Sequence, residues 1–132
     1  MASVEVPDAY NEEAFRYFLD IERQRSEILK RPFVLLLLDL KKSPVPNDIQ
    51  PPPEKLLSAL TLCVRETDFI GWHRDRSIAG AVLTQHAETT GPDLADAVSR
   101  RVVQVLGNRL PPELARRVRV RVYQLPGPNK NR

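Results

Sequence analysis

Six consecutive apolar residues, Phe33 to Leu38, followed by Asp39 and Leu40, constrain this chain more than any other segment. The run is far short of the ~20 residues a membrane span requires, and it lacks the three-to-four spacing of a helix face. A central strand covered on both faces reads this way. Pro32, directly before it, removes a backbone donor and disfavours helical geometry in the preceding residue, so any upstream helix must stop there.

The rest of the pattern organises around that strand. Residues 8–31 are expected to form a long helix. Tyr10, Ala14, Tyr17, Ile21 and Ile28 recur at helical spacing, Phe15, Phe18 and Leu19 widen the stripe, and Asp8, Glu12 and Glu13 place acid near the positive helix end. Lys41 to Pro53 holds five of the twelve prolines and reads as a loop. Pro53 and Glu54 open a second helix with Leu56, Leu57, Leu60 and Val64 on its buried side. Asp68 to His73 and Ser77 to Thr84 read as strands joined by the polar tip Arg74, Asp75 and Arg76. A third helix starts at Gly91, Pro92 and Asp93, carries Leu94, Val98, Val102, Val105 and Leu106 inward, and is expected to end at Gly107. Val118 to Tyr123 alternates strictly, as a strand with one wet face does. After the first helix the order is β-α-β-β-α-β. The expected fold is α+β, a ferredoxin-like split βαβ with an antiparallel sheet and helices mainly on one face. Residues 1–132 then make one domain, with a flexible start over 1–7, a core over 32–124 and a flexible tail over 125–132.

Composition narrows the function classes. With 42% hydrophobic and 28% charged residues the chain has a globular make-up, and a single cysteine excludes an internal disulfide framework and suits a reducing cytoplasm. No secretory signal is visible at the start. The formal charge is only +3, although fifteen of the twenty bases are arginine, whose planar fork suits anionic groups. No aromatics interleave with the bases, so no nucleic-acid surface is indicated. Cys63, His73 and His86 match no compact metal-ligand spacing, and neither a metal nor another cofactor is expected. Cys63 and Trp72 read as packing residues.

Several segments resemble one family in the right order. Glu22, Arg23, Gln24, Arg25 and Ser26, then Arg31, Pro32 and Phe33, then the run LLLLDL, resemble the entry into GGDEF domains, the diguanylate cyclase fold. Val64 to Gly71 resembles that family's R-x-x-D stretch leading into its signature hairpin. The resemblance spans roughly residues 12 to 124 and implies a truncated GGDEF domain. It places the five signature positions on Arg74, Asp75, Arg76, Ser77 and Ile78. The family uses two glycines there for close approach of nucleotide phosphates, and an acid that holds Mg²⁺ with a carboxylate of the first strand. Bulky charged residues replace both glycines, Arg76 and Ser77 replace both acids, and of the metal pair only Asp39 remains, with Lys41 in the place of the second. No catalysis is therefore expected.

Two further positions carry the resemblance. Arg65 and Asp68 fall where the family's R-x-x-D site binds cyclic di-GMP. An arginine fork can reach guanine O6 and N7 or a phosphate, and a carboxylate accepts from the guanine Watson–Crick edge. The alternative is a local salt bridge that closes the helix. Asn47 and Asp48 stand where the family contacts the guanine of GTP, or they serve turn chemistry among Pro44, Pro46 and Pro51. Two functions remain open: a noncatalytic signalling domain that receives cyclic di-GMP, and a nucleotide-independent interaction scaffold. Either leaves the first helix free to pair with a second copy or another protein.

Overall fold

The computed structural model describes residues 9–41, 52–65, 68–84 and 92–125. Asn47, Asp48 and His86 lie outside them. Strand β1 (Ala9–Tyr10) leads into helix α1 (Glu12–Leu29), strand β2 (Phe33–Leu40), helix α2 (Glu54–Thr61), strands β3 (Phe69–Arg74) and β4 (Ile78–Leu83), helix α3 (Pro92–Arg109), the short helix α4 (Pro112–Ala115) and strand β5 (Val118–Leu125). The five strands form one sheet in the order β1-β3-β4-β2-β5. Every pairing is antiparallel except that of β1 with β3. Leaving β1 aside, the order is that of a split βαβ, with β2 and β3 parallel and β4 inserted between them.

Strand β2 is central, and Phe33 to Leu38 are all buried, as its unbroken apolar run predicts. Its alternate residues feed two cores. Val34, Leu36 and Leu38 pack with Leu56, Leu57 and Leu60 of α2 and with Val102 and Leu106 of α3. Phe33, Leu35 and Leu37 pack with Phe15 and Leu19 of α1 and with Val82. Thus α2 and α3 cover one face and α1 covers part of the other. Fully burying a residue such as Leu36 or Phe33 is worth about 1.5–3 kcal/mol each.

The first helix departs from its sequence reading in two ways. It starts at Glu12 and not at Asp8, because Asn11 Oδ1 accepts the Ala14 N–H at 2.8 Å and caps it. Ala9 and Tyr10 are thereby left extended, and they pair with Ile70 and Gly71. The buried stripe is Phe15, Leu19 and Ser26, whose hydroxyl donates to the Arg31 carbonyl. Tyr17 and Ile28, which the spacing placed inward, are 63% and 78% exposed. The reason is local: Gly71 and Gly80 sit opposite each other on β3 and β4 and leave a trough for the Phe15 ring. A Cβ on Gly80 would lie 2.7 Å from Phe15 Cζ, and one on Gly71 would lie 2.6 Å from the Tyr10 carbonyl oxygen. Phe15 sets the rotation of the helix, and the other apolar spacing is turned outward.

Two smaller differences follow the same kind of logic. Helix α3 runs through Gly107 to Arg109, since nothing crowds that position and the turn is closed further on by Leu110 N–H to the Leu106 carbonyl at 2.9 Å. Pro111 and Pro112, for which the sequence pattern assigns no element, start the one-turn helix α4, with Pro at a first-turn position where its missing donor costs nothing.

The glycines give a sharp stability test. In thermal and urea unfolding, Gly80→Ala and Gly71→Ala should destabilise by about 1–3 kcal/mol through overpacking. Gly107→Ala, facing open space within a helix, should stabilise by about 0.5–1 kcal/mol.

Candidate functional site

The hairpin between β3 and β4 carries the positions that the resemblance assigns to the signature. Its tip is closed by the Ser77 N–H donating to the Arg74 carbonyl at 3.0 Å, and Arg76 takes a left-handed conformation with φ 56°. Such a φ costs a side-chain-bearing residue about 1–2 kcal/mol. Two contacts hold the tip in this geometry. Arg76 Nη1 donates to Glu54 Oε2 at 2.8 Å, at the start of α2. The Asp75 N–H donates to Glu12 Oε1 at 2.7 Å, at the start of α1. Arg16 adds a third tie, its Nε reaching the His73 carbonyl at 2.8 Å. The Glu54 carboxyl is held below its ordinary range, first by its own backbone N–H at the helix start and then by the Arg76 guanidinium. The tip is therefore fastened to helices on both sides of the sheet.

Asp39 lies opposite Ile78 on β4 and Arg119 on β5, one register step from the tip. Arg121 Nη2 lies 4.0 Å from its Oδ2. Among the described residues no three His, Cys, Asp or Glu side chains converge as a metal site.

Arg65 and Asp68 are brought together at the opposite end of the hairpin strands. The Arg65 N–H donates to Asp68 Oδ2 at 2.8 Å and the Thr84 N–H donates to Asp68 Oδ1 at 2.9 Å. The Asp68 side chain is only 2% exposed, while that of Arg65 is 56% exposed with Nε 4.0 Å from the carboxylate. Arg65 Nη2 also donates to the Thr84 carbonyl at 2.9 Å. Asp68 thus staples the end of β4 to the segment after α2. A cavity of about 180 Å³ opens beside it, lined by Cys63, Arg65, Asp68, Leu83, Val98, Arg101 and Val102. Burial raises the Cys63 thiol above its ordinary range, against the opposing pull of Arg101.

The sequence reading missed Arg101 here, although its signal was present: Arg101 lies three residues after Val98, and so on the same side of α3 as that inward residue. Glu12 and Glu54 were read as helix starts, and their second role as anchors of the tip had no local signal.

A second cavity, about 380 Å³, lies between α1 and the end of β3 and is lined by Glu13, Arg16, Tyr17, Leu19, Asp20, Arg23 and His73. His73 Nδ1 is buried there without a hydrogen-bond partner. Burial, and then Arg16, Arg23, Arg121 and Arg74, push the His73 imidazole below its ordinary value of 6.5.

No family model and no curated protein sequence matches the chain. Solved structures do. A DGC protein from Thermotoga maritima superposes with TM-score 0.64 at 18% identity, over 89% of this chain and 82% of that one. The GGDEF domain of TpbB (YfiN) from Pseudomonas aeruginosa gives 0.63 at 12% identity, over 89% and 72%. The diguanylate cyclase SiaD of P. aeruginosa, solved in complex with its activator SiaC, gives 0.59 at 22%, over 93% of this chain and 49% of SiaD. The chain has the fold of GGDEF domains.

Two variants separate the roles of the paired residues. Asp68→Ala strands two backbone donors and should cost about 2–3 kcal/mol in urea unfolding. Arg65→Ala, at an exposed pair, should stay within about 1 kcal/mol of wild type. His73 makes stability pH-dependent. Its folded value lies below its unfolded one, so the stability present above about 6.5 falls as protons bind the unfolded chain preferentially. Melting temperatures between pH 7.5 and 5.5 should drop less in His73→Gln than in wild type.

Proposed function

We propose that this is a noncatalytic, degenerate GGDEF-like signalling domain whose output is a protein contact. The observation that carries this reading is the Arg76–Glu54 ion pair at the hairpin tip. Where the family's glycines let nucleotide phosphates approach, this tip carries charged side chains, two of whose positions are tied to α1 and α2. Asp39 faces Arg121, and where the resemblance puts the family's two signature acids this chain carries Arg76 and Ser77. A hard divalent ion favours one or two carboxylates and is repelled by a neighbouring guanidinium. The outer face of α1 supplies the contact surface: Tyr17, Ile28 and Leu29 are exposed. SiaD, of which this chain matches 49%, was solved in complex with a protein activator, SiaC. A cytoplasmic location belongs to the same reading; among the described residues no helix is long and apolar enough to cross a membrane.

A second reading, a cyclic di-GMP receptor, is favoured by one observation: Arg65 and Arg101 line the same cavity. In it the arginines meet guanine or phosphate, and Asp68 holds Arg65 in place while its own oxygens are occupied by backbone donors.

Calorimetric titration with cyclic di-GMP, beside incubation with GTP and Mg²⁺, tests both readings. The expected outcome is no conversion of GTP; turnover would overturn the noncatalytic assignment. Micromolar binding of cyclic di-GMP that disappears in Arg65→Ala, with unchanged melting temperature, would establish the receptor reading. Binding that survives this substitution would move the site elsewhere.

A further inference from the structure

The groove between α1 and the end of β3 is lined in two rows. Around a helix that turns about 100° per residue, Arg16 and Arg23 lie about 20° apart and about 10 Å apart along the axis, beside Leu19 and next to the sheet. Glu13 and Asp20 repeat that spacing about 60° further out. Cations thus line the inside of the groove and acids its rim. The inner row is only partly committed. Arg16 Nε donates to the His73 carbonyl and lies 3.4 Å from Glu12, whereas Arg23 has no hydrogen-bond or ion-pair partner among the described residues. His73 presents the matching group. Its Nδ1 is buried without a partner, and an unpaired buried N–H is rarer than an unpaired acceptor, so the ring proton is assigned to Nε2. Nε2 is neither buried nor bonded among the described residues, which leaves its N–H open to a ligand. Edge contact with Phe15, at 6.3 Å between centroids, holds the ring in place. Burial and then Arg16, Arg23, Arg121 and Arg74 keep the imidazole below its ordinary value, and no described carboxylate opposes them. A neutral donor therefore sits in a positive field.

We infer that this groove binds an oxyanion, the carboxylate or phosphate group of a small ligand, which accepts hydrogen bonds from His73 Nε2 and from the Arg23 guanidinium. The planar fork of arginine matches either group, and such charge-assisted bonds are the stronger ones. The cavity volume, about 380 Å³, falls within the range of small-molecule pockets, roughly 300–1,000 Å³, and exceeds what an oxyanion alone would fill. The rest of the ligand meets Glu13 and Asp20, so it carries an amino or hydroxyl donor and not a second negative charge. The groove lies on the α1 face of the sheet, apart from the cavity at Arg65 and Arg101, and neither reading of that cavity or of the hairpin depends on it.

The chain has two histidines, so His86→Gln leaves the His73 ring as the one imidazole seen by NMR. Titrating this full chain with inorganic phosphate or with acetate, at constant ionic strength, should displace the ring signals saturably at millimolar concentrations. The anion that binds more tightly identifies the group the site takes. Arg23→Gln should weaken binding about tenfold, with the melting temperature unmoved because no in-chain bond is lost. Arg25→Gln removes the same charge from the opposite side of α1, where Arg25 is 65% exposed, and should leave binding unchanged. Glycine, which adds an ammonium group to acetate, should bind more tightly than acetate, and Glu13→Gln should reduce that advantage. A response that does not saturate, or that is the same in Arg23→Gln and Arg25→Gln, overturns the proposal. Glycine binding no tighter than acetate overturns the part given to the acidic rim.

Discussion

Much of this structure hangs on one ring in one trough. Gly71 and Gly80 are cross-strand partners, and together they remove two side chains from the centre of the face that α1 covers. Phe15 fills the gap, fully buried, with its ring in edge contact with Phe69 at 5.7 Å between centroids. A flat apolar patch would hold a helix at several rotations. A trough one ring wide holds it at one. The choice made there propagates along α1. It brings Glu12 to the Asp75 N–H and Arg16 to the His73 carbonyl, so the same rotation that seats Phe15 also fastens the hairpin tip.

The hairpin shows how charge can replace the freedom of glycine. A left-handed residue at the tip is ordinarily a place for glycine, asparagine or aspartate. Arg76 occupies it with its long side chain directed to Glu54, in an ion pair that also joins α2 to the sheet's end. The pair is exposed, and on its own it is worth little. Its significance lies in its position. With Asp75 held by Glu12 on one side and Arg76 by Glu54 on the other, the tip is made of side-chain contacts where an open loop of backbone donors would be required to cradle phosphate.

The sequence made some of this plain and concealed the rest. Strand β2 was legible because burial on both faces leaves no alternation to misread, and the hairpin was legible because a short polar tip lay between two apolar runs. The start of α1 was misplaced because Asp8 and Asn11 are both competent caps, and what decides between them is the pairing of Ala9 and Tyr10 with a strand sixty residues away. The stripe was misassigned for a related reason. Both sets of apolar residues on α1 satisfy helical periodicity, and only the glycine trough, a property of two other strands, determines which set turns inward. The Arg65 and Asp68 pairing was visible as a motif, but its principal bonds are to backbone donors, including that of Thr84, which a side-chain pattern does not reveal.

That last point bears on how the corner near Arg65 works. A carboxylate only 2% exposed needs its hydrogen bonds inside the protein, since a buried polar group left unpaired is costly. Asp68 finds them at the Arg65 and Thr84 amides, and in doing so it fixes the backbone from which the Arg65 guanidinium projects. Arg101 approaches the same cavity from α3, which packs on the face of the sheet opposite α1. The corner and α1 therefore lie on opposite faces of the sheet. Strand β3 links the two places: its residues meet the trough at Gly71 and its start follows Asp68 directly. A ring filling a space of its own size ties the place of that strand to the place of the helix.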